Sequence, residues 1–238
     1  MSDTCHHEAI FTAFSSRRIA HRARAVRDAY IDDHADPLLA QMLDESNDLA
    51  FGKVVIAAHL GDLTGAAGDD ALRRAIRVSG PGSRDLRCAS LLALAKRVGT
   101  QATPDLLAGL AASDAAVKRY AVIGLAGTGG GDDNAWKQVF AYLRSVLRRK
   151  RRAHGQSEVA LALAYLAQHV ADPSRRFELV AFIRGNWDAL DEADWFAQLW
   201  SDASPGGPDL DAVPSPNHAA IQAWAREPLF RPLGVPTA

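Results

Sequence analysis

Six of the nine residues from Arg144 to Arg152 are basic: Arg144, Arg148, Arg149, Lys150, Arg151 and Arg152, with His154 close behind. Up to Lys150 the run continues a helical pattern whose other side carries Phe140, Leu143 and Leu147, which places the charges on the last turns of a helix and the loop after it. Cations near a helix C-terminus gain about 0.3–1 kcal/mol each from the helix dipole, which accounts for one or two of them. Six so close together repel one another. The cluster reads either as a solvated face or as a surface for phosphate or an acidic partner.

A second segment carries the opposite sign. From Gly185 to Asp211 the chain holds Asp188, Asp191, Glu192, Asp194, Asp202, Asp209 and Asp211 with no Lys or Arg, and the same stretch contains Trp187, Trp195 and Trp200. Asp188 and Asp191 suit a helix start. Large aromatics most often belong to a core, but a Trp exposed between carboxylates suits a cationic or basic ligand. Trp187, Asp188, Asp191, Asp194 and Trp195 are therefore the acidic and aromatic candidates.

Other clusters carry less. Cys5-His6-His7-Glu8 offers adjacent ligand types, but neighbouring residues on a helix point about 100° apart, and only residues three or four apart share a face. Asp32-Asp33-His34-Ala35-Asp36 reads as a helix end followed by a cap at Asp36-Pro37. No CxxC or HExxH is present, so neither metal nor cofactor is expected. Gly127 to Gly131 lacks the Gly-Lys-Ser/Thr ending of a phosphate loop, and Asp132-Asp133 would repel phosphate; an inter-helix turn explains it better. There is no GxSxG elbow, and no catalytic set is expected.

Helices must position all of these residues. The chain has 238 residues, 48% of them hydrophobic and drawn largely from Ala and Leu, a mixture that favours helix over strand. Its net charge of -1 means that any attraction to nucleic acid or membrane must be local. Two distant cysteines, Cys5 and Cys88, imply no disulfide framework. With neither a leader-like N-terminus nor eighteen consecutive apolar residues, the expectation is a cytoplasmic protein without a membrane span.

Helix openings recur at roughly thirty- to forty-residue intervals, anchored at Ile19, Phe51, Leu86, Val117, Val159 and Trp195. Each has a candidate partner before it: Thr4 to Phe14, Asp36 to Leu43, Asp70 to Val78, Thr103 to Leu110, Asp133 to Lys150, and a helix opening at Asp172-Pro173. Asp36-Pro37, Thr103-Pro104 and Asp172-Pro173 each read as a cap followed by Pro at the first helical position. Breakers separate them at Gly61 to Gly68, Gly80-Pro81-Gly82, Gly99 to Thr103, Gly127 to Gly131 and Gly185-Asn186.

The most regular unit is Ser113 to Gly127, SDAAVKRYAVIGLAG, where Asp114 precedes Val117-Lys118 and Ala121, Val122, Leu125 and Ala126 form a narrow apolar side. It resembles the second helix of a HEAT repeat. The resemblance is clearest from Asp69 to Gly130 and implies an all-α solenoid of about six antiparallel helix pairs closed by a C-terminal capping helix. Residues 1–200 would form the repeats, 201–216 a Pro/Gly/Asp-rich loop, and 217–238 the cap and tail. It also implies that second helices line a concave side, with Arg18, Arg22, Lys53, Arg87, Lys118 and Arg119 on or near it. Pairs such as Asp48 with Lys53, Asp85 with Arg87 and Asp114 with Lys118 resemble the family's ladder between repeats.

The function expected from this resemblance is a non-enzymatic scaffold or adaptor for a protein partner. A nucleic-acid-binding protein similar to the alkylpurine DNA glycosylases is the alternative, with Arg184, Trp187, Asp188 and Trp195 as its residues. The acidic run around those tryptophans argues against it. A bacterial immunity or inhibitor protein is a third reading.

Overall fold

The computed structural model describes residues 3–46, 52–148, 156–169 and 172–186. Their regular structure is helical throughout: α1 (Asp3–Phe14), α2 (Ile19–Tyr30), α3 (Ala35–Glu45), α4 (Gly52–Leu60), α5 (Ala66–Ile76) and α6 (Ser83–Val98), a 3-10 turn at Gly99–Ala102, then α7 (Thr103–Leu110), α8 (Ala115–Thr128), α9 (Asp133–Leu147), α10 (Gln156–Ala167) and α11 (Pro173–Gly185). The chain divides after Gly99 into two compact units, α1–α6 and α7–α11. Among the described residues no helix is long and apolar enough to cross a membrane.

In each unit the two helices of a pair pack on each other, and helices of successive pairs pack on the one two places along. α3 meets α4 and α5, α4 meets α6, and α5 meets α6; in the second unit α7 meets α8 and α9, α8 meets α10, and α9 meets α10. That recurrence is the stacking of an all-α solenoid, in which no pair buries its apolar stripe alone. The described residues hold five complete pairs and α11, the first member of a sixth. The helix anchored at Trp195, the loop 201–216 and the C-terminal helix all lie outside the described residues.

Local sequence sets the boundaries. Asp114 caps α8, its carboxylate accepting from the N–H groups of Ala116 at 2.8 Å and Val117 at 3.1 Å, and Gly129 ends that helix in the left-handed region at φ 66°. Asp132 and Asp172 cap α9 and α11 similarly. The expected apolar side of α8 is realised: Val117, Ala121, Val122 and Leu125 have no exposed surface, and Ala126 has 3%. Leu161 to Leu166 of α10 are likewise fully buried, so that stretch is enclosed on every side.

Three expected starts shift. α3 begins at Ala35 and α7 at Thr103, so Asp36 is the second residue of its helix and Thr103 the first, and neither is the cap. α5 begins at Ala66, four residues before the expected Asp70, and takes in Gly68. Asp36 and Gly68 are displaced from their usual roles by one buried side chain, that of Arg97.

The Arg97 side chain is 1% exposed and uses four of its N–H groups. Nε donates to Asp69 Oδ1 at 2.6 Å, Nη1 to the Leu60 carbonyl at 2.6 Å, and Nη2 to Asp36 Oδ1 at 2.8 Å and the Gly65 carbonyl at 2.5 Å. Asp36 Oδ2 accepts from the Gly68 N–H at 3.1 Å. One guanidinium thus joins α3, the end of α4, the α4–α5 turn and α5 to α6. The ladder expected at Asp85 and Arg87 takes another form: Asp85 pairs with Arg84 at 2.9 Å, while Arg87 Nε donates to the Ile76 carbonyl at 2.9 Å.

Removing one partner of a buried, hydrogen-bonded ion pair strands the others in low dielectric, which typically costs about 3–5 kcal/mol. Arg97→Met is expected to lower the stability of the first unit by that amount in urea unfolding followed by circular dichroism. Arg97→Lys should recover only part of the loss, because an ammonium cannot reproduce the fork. Gly68→Ala tests the same site with a reversed sign: inside a helix this change ordinarily stabilises by about 1 kcal/mol. Here a Cβ would meet Asp36 Oδ1 and Arg97 Nη2, so a net loss of stability is expected.

Candidate functional site

The charged candidates begin where α9 and α11 end. α9 turns one stripe inward, burying Ala135, Trp136, Val139, Phe140, Leu143 and Val146. The Trp136 and Phe140 rings stack with centroids 5.0 Å apart, and Phe140 meets the edge of Phe182 of α11 at 5.2 Å. Trp136 Nε1 donates to the Leu166 carbonyl at 3.3 Å, which fixes the ring against the end of α10. At the start of the helices Arg175 Nη2 donates to Asp133 Oδ1 at 3.1 Å. α9 and α11 therefore run side by side in the same direction.

Arg144, the first of the basic candidates, is already engaged. Its guanidinium carbon lies 4.5 Å from the centre of the Phe140 ring, and its Nη2 donates to Glu178 Oε1 at 3.2 Å. This side chain ties α9 to α11 while remaining half exposed, so its electrostatic contribution is that of a screened surface pair. Arg148, the residue after α9, is exposed. Arg149, Lys150, Arg151 and Arg152 lie outside the described residues, as do Trp187, Asp188, Asp191, Asp194 and Trp195. The described chain thus reaches the basic segment at Arg148 and the acidic segment at Asn186, both at the C-terminal ends of neighbouring helices.

The basic residues read as lining a concave side are spread over both units and differ in role. Arg87 is spent on the Ile76 carbonyl. Arg18 is exposed at the start of α2, while Arg22, Lys53, Lys118 and Arg119 are half-buried.

Two groupings escape a residue-by-residue reading. The first joins the two clusters set aside above: His6 and His7 of α1 both reach Asp32 of the α2–α3 turn, and His34 approaches it from the same turn. Spacing along one helix could not reveal this, because the shared carboxylate comes from a different element. The second is in the α7–α11 unit, where the His169 ring lies 4.7 Å from that of Tyr165 and His169 Nε2 is buried without a hydrogen-bond partner. Tyr165 OH donates to the Gly130 carbonyl at 3.0 Å, and burial pushes the phenol up to about 12.

Burial, helped by the positive charge of Arg175, holds the His169 imidazole below its ordinary value of 6.5. Burial does the same to His59, whose ring packs 4.7 Å from Tyr30, with Asp62 opposing. As pH falls the unfolded chain therefore binds protons first. Stability from these two groups is full above 6.5 and is lost as pH drops through that value toward their lower folded ones. The melting temperature is expected to fall from about pH 7 to about pH 5, with a shallower fall in His59→Gln/His169→Gln. An unchanged slope in the double variant would show that other groups govern it.

No protein-family model matches this chain. No curated protein matches it either. Among solved structures the chain is similar to a chain of a homology model of the full-length AP-3 complex in an intermediate open conformation, with a TM-score of 0.46 and 13% identity over 93% of this chain and 50% of that one. The chain spans about half the length of the one it matches.

Proposed function

We propose that this chain is a non-enzymatic helical-repeat scaffold, of the HEAT-like kind, that binds a protein partner through the charged segments following α9 and α11. Under this reading residues 1–200 form the repeats, 201–216 a loop, and 217–238 a cap and tail. The observation that carries it is the arrangement of α9 and α11. They run side by side, and one leads into Arg148–Arg152 while the other leads into Trp187, Asp188, Asp191, Asp194 and Trp195. Opposite charges presented from adjacent helix ends suit a partner surface that itself carries both signs. A net charge of -1 leaves no overall pull toward a polyanion.

A nucleic-acid reading is favoured by one observation, the exposure of Arg148 where the basic run begins. Salt dependence separates the two. The purified protein is titrated with duplex and single-stranded DNA at low and physiological salt, and in parallel used for affinity capture from its native cell. The scaffold reading expects a protein retained at physiological salt, lost when Arg148, Arg149, Arg151 and Arg152 are changed to Ala, and DNA binding that is weak and disappears with salt. DNA binding that survives physiological salt, with no protein retained, would replace it with the nucleic-acid reading.

A further inference from the structure

The grouping of His6, His7, Asp32 and His34 lies in the α1–α6 unit. His7 Nε2 is 3.4 Å from Asp32 Oδ1, and His34 Nδ1 is 3.5 Å from the same oxygen. The three ligand atoms all lie within 4.8 Å of one another. The His7 and His34 rings meet edge to face at 5.6 Å. His6 Nε2 stands 3.5 Å from the other carboxylate oxygen.

These separations exceed the 2.7–3.2 Å of a good N–H···O bond. The His7–Asp32 and His34–Asp32 separations match a different geometry: a tetrahedral Zn2+ with bonds of about 2.0–2.2 Å keeps its ligand atoms about 3.3–3.6 Å apart. The carboxylate is prepared for that role. The His34 backbone N–H donates to Asp32 Oδ1 at 2.8 Å, which holds the carboxylate in place beside the two imidazoles. Asp32 and His7 are shielded, with 12% and 25% of their side chains exposed, while His34 at 58% leaves the site open to solvent.

We propose that His7, Asp32 and His34 form a binding site for a borderline divalent cation, Zn2+ by its geometry. Two imidazoles and one carboxylate supply three ligands, and the fourth position is left to water or to a ligand from outside. The ion would clip α1 onto the α2–α3 turn, joining two elements that are separate along the chain. His6, on the other carboxylate oxygen and 53% exposed, is the alternate imidazole rather than a required ligand.

The test is a Zn2+ titration of the full chain, stripped with chelator, in competition with a chromophoric chelator. One equivalent per chain is expected, together with a rise in melting temperature on adding Zn2+. His7→Ala and His34→Ala should each weaken binding tenfold or more, while His21→Ala leaves it unchanged. Asp32→Asn keeps the side-chain shape and decides the matter if an alanine variant loses helical circular dichroism: it should fold, bind Zn2+ at least tenfold more weakly, and show no thermal shift. Co2+ in place of Zn2+ should give the strong visible absorption of a tetrahedral ion. Failure to bind Zn2+, equal affinity in the wild type and Asp32→Asn, or the pale spectrum of six-coordinate Co2+ would overturn the assignment.

Discussion

Every helix ends with carbonyls that have no partner within the helix, and in a stack of short helices those ends are crowded by neighbours that keep water out. This chain meets the constraint with side chains reaching across from other helices or from the turns after them. Arg97 takes the carbonyl of Leu60, Arg87 that of Ile76, Trp136 that of Leu166 and Gln168 that of Ala126, while in the turns Arg97 also reaches the Gly65 carbonyl and Tyr165 that of Gly130. Each such bond ties one element to another as well as satisfying an acceptor, and the bonds to Leu166 and Gly130 are buried. Apolar contact alone is non-directional and would permit sliding. Tyr165 also explains the glycine run: Gly131 sits at φ 138°, and a Cβ there would collide with the Tyr165 hydroxyl.

Much of the architecture was legible from sequence because paired-helix repeats write themselves locally. Asp114 capping α8, Asp172-Pro173 opening α11 and the apolar side of Val117, Ala121, Val122 and Leu125 are all decided within one or two turns of chain. What could not be read is what depends on long-range partners. Asp36 looks like a cap beside Pro37, yet it is drawn to Arg97, sixty-one residues away in sequence. Gly68 reads as a breaker, yet it lies inside α5 because the guanidinium and carboxylate leave no room for a Cβ. Only the facing side chain gives these residues their meaning.

The candidate sites divide along the same line. The basic segment was visible as a run of charge, but the engagement of Arg144 with Phe140 and Glu178 was not, since Glu178 belongs to the next helix pair. The imidazole cluster was hidden for the complementary reason. His7 and His34 stand twenty-seven residues apart and approach one carboxylate only because α1 folds back over the α2–α3 turn. In both cases the polar groups that matter bridge successive elements. The same habit that closes helix ends in the interior produces, at the surface, a tether and a ligand-ready cluster.

If cross-helix capping of carbonyls is what holds these stacks in register, breaking one such bond must loosen the elements it joins and leave the other unit alone. Hydrogen–deuterium exchange followed by mass spectrometry, comparing wild type with Arg97→Met under native conditions, reads this directly. Faster exchange is predicted together in the start of α3, in the α4–α5 turn from Leu60 to Gly68, and in the end of α6, with α7–α11 unchanged. Faster exchange confined to α6, with the α4–α5 turn and α3 as protected as in the wild type, would contradict the account.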